Sequence, residues 1–262
     1  KKRTLDDCQP IIDRLKEIAA KNFDIKEKEE LGNFYINVLS EFFRAAEIIG
    51  IDDNYQVLRA LLCYENVEEF FVEGKKDGQT VHKKGYRLRH SSVRGPAKGG
   101  LRLHPLAELS EVGALAFMMT WKCAKSKIMF GGGKGGATMT PNEFEDPLDY
   151  NLAISAFGKS LFLETGPFLD VPAGDVNCGA YEIGRIFEGY KAALRDLVSL
   201  VYASKYGAAR VGKKLVNVKQ ARKILENNFE IDPYDDETLK RLMTNEHYLS
   251  LVIASQITGK PK

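Results

Sequence analysis

The residues best suited to chemistry are five glycines set around one lysine, Gly131-Gly132-Gly133-Lys134-Gly135-Gly136. Glycine removes side-chain bulk, lets a backbone approach a ligand closely and permits positive φ. A lysine ringed in this way projects into a space made for something small. The run contains G-x-G-x-x-G, but a dinucleotide loop must open a helix whose N-terminus holds the pyrophosphate. This run leads instead into Ala137-Thr138-Met139-Thr140-Pro141, an extended stretch ending at proline. A P-loop is excluded as well, because Lys134 is followed directly by Gly135 and not by a serine or threonine. Taken alone, the run also fits a glycine-rich turn with a solvated lysine.

Its neighbours favour the chemical reading. Gly95-Pro96-Ala97-Lys98-Gly99-Gly100-Leu101-Arg102 sets a second lysine beside a glycine pair, and Lys122 comes after Met119-Thr120-Trp121 near the end of the intervening helix. Downstream, Asp170-Val171-Pro172-Ala173-Gly174-Asp175 places two acids around a rigid turn at an expected strand end. Strand ends facing a crevice are where α/β proteins put their chemistry. Lysines 98, 122 and 134 crowded into one cleft repel one another, which lowers the pKa of the least paired. A lysine brought toward neutrality works as a general base and acid.

The elements that must position these residues are read from hydrophobic period. Helical spacing predicts helices over 5–23, 29–49, 55–64, 107–125 and 148–165, with another starting at 180. Short β-rich runs predict strands at 70–72, 80–81, 86–88, 101–103, 127–130, 137–139 and 168–171, with Asp77-Gly78 as a hairpin turn. The fold class is α/β: a mixed, mostly parallel sheet flanked by helices, with an added helical C-terminal segment. The expected division is a substrate-binding unit over 1–190, whose first 64 residues are a helical lead-in, and a mainly helical insertion over 191–262.

Composition narrows the function classes. Thirty-eight Lys+Arg against 36 Asp+Glu leave a net charge of +2 over 262 residues, without the basic field that nucleic-acid binding uses. Seven basic residues between Leu197 and Leu225 (Lys205, Arg210, Lys213, Lys214, Lys219, Arg222, Lys223) precede six acids between Glu226 and Leu239. They read as two solvated helical faces set against each other. No apolar run approaches the ~18–20 residues of a membrane span. The four cysteines lack a CxxC pair, which argues against zinc and for a reducing cytoplasm.

Four motifs, in order, resemble the glutamate dehydrogenase family, which also holds the leucine, phenylalanine and valine dehydrogenases. They are Gly85-Tyr86-Arg87 through Arg102, then Trp121-Lys122, then Ile128 through Gly136 with Thr140-Pro141, and last Asp170 through Asp175. The resemblance covers residues 30–190 and corresponds to the family's substrate-binding and oligomerisation domain. It implies that Lys134 is the catalytic lysine and Asp175 the proton shuttle. It further implies that Lys122 binds the α-carboxylate, that Met119 and Gly174 line the substrate, and that Lys98 binds the side-chain carboxylate. Relatives that take branched or aromatic substrates carry an apolar residue where Lys98 stands, so the implied pair is glutamate and 2-oxoglutarate. The resemblance also implies a homo-oligomer, a hexamer, using NAD or NADP.

The family's Rossmann domain is expected to begin near Gln256-Ile257-Thr258-Gly259-Lys260-Pro261, where the sequence stops. The chain is therefore expected to be the substrate half of a longer dehydrogenase, with no dinucleotide bound by this chain alone and no metal. The alternative is a stand-alone, non-redox amino-acid-binding or regulatory module. The stretch 191–255 is longer than the family's usual connection.

Overall fold

The computed structural model describes residues 13, 16–23, 32–76, 78–203 and 207–258. The helices α1 (Asn33–Ile49) and α2 (Tyr55–Leu62) lead into strands β1 (Asn66–Lys76), β2 (Gln79–Ser91) and β3 (Ala97–Leu103). Then come α3 (Leu109–Lys125), β4 (Gly131–Ala137), α4 (Pro147–Leu161), β5 (Asp170–Gly174) and α5 (Ala180–Ala203). A hairpin, β6 (Ala208–Val211) and β7 (Lys214–Asn217), precedes α6 (Val218–Phe229), α7 (Asp236–Thr244) and α8 (Glu246–Thr258).

The helices form where apolar residues recur on one face. In α1, Tyr35, Leu39, Phe43 and Ala46 are buried, and Gly50 ends the helix in the left-handed region at φ 73°. Asn54 caps α2 by accepting from the Val57 N–H. The predicted helix over 5–23 lies largely outside the described residues, although 16–22 are helical.

The large sheet is mixed, in the order β1-β2-β4-β3-β5. β1 and β2 form a hairpin closed between Lys76 and Gln79, and β2 runs antiparallel to β4. β4, β3 and β5 are mutually parallel neighbours, joined by helical crossovers through α3 and α4, as parallel pairing requires. One face packs Tyr86 and Leu88 against α1, α2 and α3. The other face packs Leu101, Leu103 and Ala137 against α4 and α5.

Three expectations need correction. The glycine run is itself the strand β4, whereas 127–130 forms no strand and contains Lys127 at φ 54°. The glycines extend because β2 and β3 pair with them from both sides; tertiary pairing overrides their poor strand propensity. β5 starts at Asp170, two residues later than expected. The region after 203 opens with a hairpin that charge counting did not suggest.

Helix α5 runs without interruption through residues 190 and 191. Val211, Leu225, Leu239 and Val252 share one apolar cluster with Leu101 and Phe157. Among the described residues, the ion pairs of the basic run go to Glu68 and Glu164 through Lys213 and Lys214, not to the acidic run. Arg222 stacks on Tyr234, 4.9 Å from its ring centre, and Lys205 lies outside the described residues.

Candidate active site

Strand register decides what each site residue faces. Leu88 of β2 is paired with Lys134 of β4, Lys98 of β3 with Gly132, and Val171 of β5 with Lys98. Alternation therefore puts Lys98, Arg102 and Lys134 on the same face of the sheet, the one covered by α3. A Cβ at Gly132 would come within 2.5 Å of the Ala116 carbonyl oxygen of α3, so the bare backbone lets the helix lie directly on the strand. None of the six residues 131–136 has positive φ. Close packing, not conformational freedom, is what these glycines supply.

Lys134 is the one side chain the run presents, and it is buried at 6% exposure. Its Nζ donates to Asp175 Oδ2 at 2.5 Å. Asp175 comes just after the end of β5, its loop closed by the Cys178 N–H donating to the Asp175 carbonyl at 3.1 Å. The same carboxylate oxygen lies 3.5 Å from Arg102 Nε, and Arg102 is also paired with Glu111 at the start of α3. Burial lowers the Lys134 pKa; Asp175 opposes that, while Arg102 and Arg87 add to it. Burial would raise Asp175, but the Lys134 hydrogen bond and the charges of Lys134 and Arg102 outweigh it, holding the carboxyl below its usual range.

Lys98 Nζ donates to the Val171 and Pro172 carbonyls of β5 at 3.3 and 3.2 Å. Two of the three ammonium donors are thus used, leaving one for a further acceptor. Burial lowers its pKa, with Arg87 acting in the same direction. Met119 and Lys122 lie one turn apart on α3, the first partly buried and the second exposed. Cys123 lies in the fields of Lys98, Lys122 and Arg94. Gly174 is exposed beside Asp175, and a Cβ there would meet the Cys178 carbonyl at 2.5 Å.

Lys134 and Asp175 are thus in direct contact, and Lys98 and Lys122 both act on Cys123. The mutual lysine repulsion expected from sequence is not what lowers these pKa values. Burial comes first, and the cations acting on Lys134 and Lys98 are arginines.

Sequence reasoning missed the support behind the site. On the opposite face Arg87 grips Asp170 through Nε at 2.7 Å and through Nη2, and donates Nη1 to the Gly99 carbonyl at 3.2 Å. Both side chains are 1% exposed. Arg102 and Glu111 were missed too. Arg87, Asp170 and Arg102 all lie within the motifs that carry the family resemblance, and that membership was the available signal.

A family profile described as "Glu/Leu/Phe/Val dehydrogenase, dimerisation domain" matches residues 65–192. The "Glutamate dehydrogenase" of Thermotoga maritima is 40% identical over 149 residues, 56% of this chain and 35% of that protein. The "NADP-specific glutamate dehydrogenase" of Laccaria bicolor is 37% identical over 170 residues, 64% of this chain and 38% of that one. The chain thus spans little more than a third of the length of these curated relatives. A solved structure titled "Glutamate dehydrogenase" superposes with TM-score 0.60 at 30% identity, over 69% of this chain and 40% of that one. A hetero-hexameric glutamate dehydrogenase from Thermus thermophilus does so with TM-score 0.50 at 28% identity, over 53% of this chain and 33% of that one. Over residues 65–192, then, the chain is similar to the dimerisation domain of the Glu/Leu/Phe/Val dehydrogenases.

Proposed function

We propose that this chain is the substrate-binding part of an NAD(P)-dependent glutamate dehydrogenase, which deaminates L-glutamate oxidatively to 2-oxoglutarate and ammonia. The observation that carries the reading is the 2.5 Å contact between a buried lysine and an aspartate on a sheet face covered by α3. In this reading Lys134 is the general acid and base. Its neutral form takes a proton from water as the water oxygen bonds to the imino carbon. Asp175 relays the proton gained by Lys134 to the departing nitrogen, the C–N bond breaks, and ammonia leaves as the hydroxyl proton goes to Lys134 and the carbonyl forms. Lys98 holds the side-chain carboxylate through its spare donor, Lys122 holds the α-carboxylate, and Met119 and Gly174 line the substrate.

NAD or NADP belongs to the proposal for the whole enzyme. The glycine run does not fit a dinucleotide: it is an interior strand, covered by α3 on one face and backed by Arg87 and Asp170 on the other. No hydride step is derived from these residues. An oligomer fits the matched dimerisation domain and a hexamer fits the hetero-hexameric relative; that its subunits are identical is part of the proposal. A cytoplasmic location fits a chain in which, among the described residues, no helix is long and apolar enough to cross a membrane.

The test is glutamate-dependent NAD(P)H formation by the product of the complete gene, alongside calorimetric binding of 2-oxoglutarate to this chain. The expected result is turnover that Lys134→Ala abolishes and binding that Lys98→Met weakens. Turnover unchanged in Lys134→Ala overturns the catalytic assignment. Binding without any turnover favours a non-redox module.

A further inference from the structure

The Arg102 side chain is mostly buried, and its Nε atom is enclosed without a hydrogen-bond partner. A buried donor left unmade costs stability, about 1–3 kcal/mol, so its position calls for an explanation. The nearest carboxylate oxygen is Asp175 Oδ2 at 3.5 Å, the same atom that accepts from Lys134 at 2.5 Å. Glu111, at the start of α3, holds the Nη1 side of the guanidinium, so Arg102 cannot turn away from the aspartate. One oxygen therefore faces two cationic donors, one engaged at 2.5 Å and one waiting at 3.5 Å. A small rotation of the Asp175 side chain would exchange the first for the second.

We propose that Arg102 is a positioning residue for the reaction, offering Asp175 a second hydrogen-bond partner so that Lys134 can release the aspartate and turn to the substrate. This rests on the reading of Lys134 and Asp175 given above. Release of Lys134 without Arg102 would leave the carboxylate facing only the loop that carries it. With Arg102 in place the carboxylate has a partner in both arrangements before it relays a proton, and Glu111 holds Arg102 within reach. The charged groups acting on Lys134 are Asp175, Arg102 on β3 and Arg87 on β2, with Glu111 setting the position of Arg102.

The experiment tracks the titration of Lys134 in this chain by NMR of ¹³C-methylated lysines, with the resonance assigned through Lys134→Arg. In Arg102→Met the midpoint should rise by roughly one pH unit, since a nearby cation has been removed, and Arg102→Lys should bring it back toward the parent value. Glu111→Gln should move it down, because a counter-charge to Arg102 is lost. In the complete enzyme Arg102→Met should lower kcat about tenfold, an effect of about 1.4 kcal/mol, with KM changed less than twofold. A folded Arg102→Met chain in which Lys134 titrates as in the parent overturns the proposal, as does an effect confined to KM. If Arg102→Met fails to fold, Glu111→Gln decides by the same criterion. The titration needs no glutamate, so failure of the parent enzyme to oxidise glutamate would count against the proposed function and leave this measurement standing.

Discussion

Two cation–aspartate pairs lie back to back across the central strands. Arg87 and Asp170 are each 1% exposed, whereas Lys134 and Asp175 are 7% and 27% exposed. The first pair joins β2 to β5 across the sheet, with the guanidinium also bonded to the β3 backbone at Gly99. Its valences are filled by the protein and it is closed to solvent. The second is only partly closed: Asp175 meets Lys134 and Arg102 through one oxygen and accepts from the Val176 backbone, yet stays 27% exposed. Similar charges therefore serve different ends. The sealed pair fixes where the strands lie, and the open pair retains a proton that can be exchanged.

The largest expected effect breaks the sealed pair. Asp170→Ala leaves the Arg87 guanidinium buried and unpaired, and should cost about 3–5 kcal/mol of unfolding free energy. Asp175→Ala should cost less, about 1–3 kcal/mol, because Lys134 is left buried but can shed its proton once unpaired. Urea unfolding of the two variants checks the contrast, and equal losses would abolish it. Next, Lys134→Ala in the complete enzyme should lower kcat by about 10²–10⁴-fold while leaving the urea midpoint of this chain within about 0.5 M. A variant that loses activity only by unfolding would make the open pair structural after all.

The acid side sharpens the contrast in a neighbouring group. His90 is buried beneath α3 between Thr120 and the Leu61 carbonyl, and burial lowers its pKa to about 4. The unfolded chain takes up this proton near pH 6.5 and the folded chain only near pH 4. Stability should therefore be complete above pH 6.5 and fall by roughly 3 kcal/mol as the pH drops to about 4. Denaturation measured across that window should show a shallower slope in His90→Gln. The smallest effect concerns specificity. Lys98→Met should shift the preference between glutamate and an apolar amino acid by about 10–200-fold, read as a ratio of kcat/KM values.

How far the sequence was readable differs between the faces in the same way. The helices showed in their apolar spacing, and Lys98, Lys122, Lys134 and Asp175 stood out because glycines or a rigid turn flank three of them. The sealed pair did not show. Tyr86-Arg87-Leu88-Arg89 alternates like a strand with one face in water, yet Arg87 is buried and meets an aspartate 83 positions away. Nothing local marks such a partner. The strand character of the glycine run was equally hidden, since it comes from β2 and β3 on either side. The hairpin at 208–217 was obscured because a charge count ignores Gly212, which turns the chain at φ 58°.

The bare strand β4 also limits how such a site can change. Added bulk at Gly132 drives into α3, and at Gly131 into the Ser91 carbonyl, so neither position is open to variation. On the proposed reading, retuning of the substrate would fall to the borders, at positions such as 98, 119 and 122, and chemistry and selectivity would be lodged in different segments of the chain.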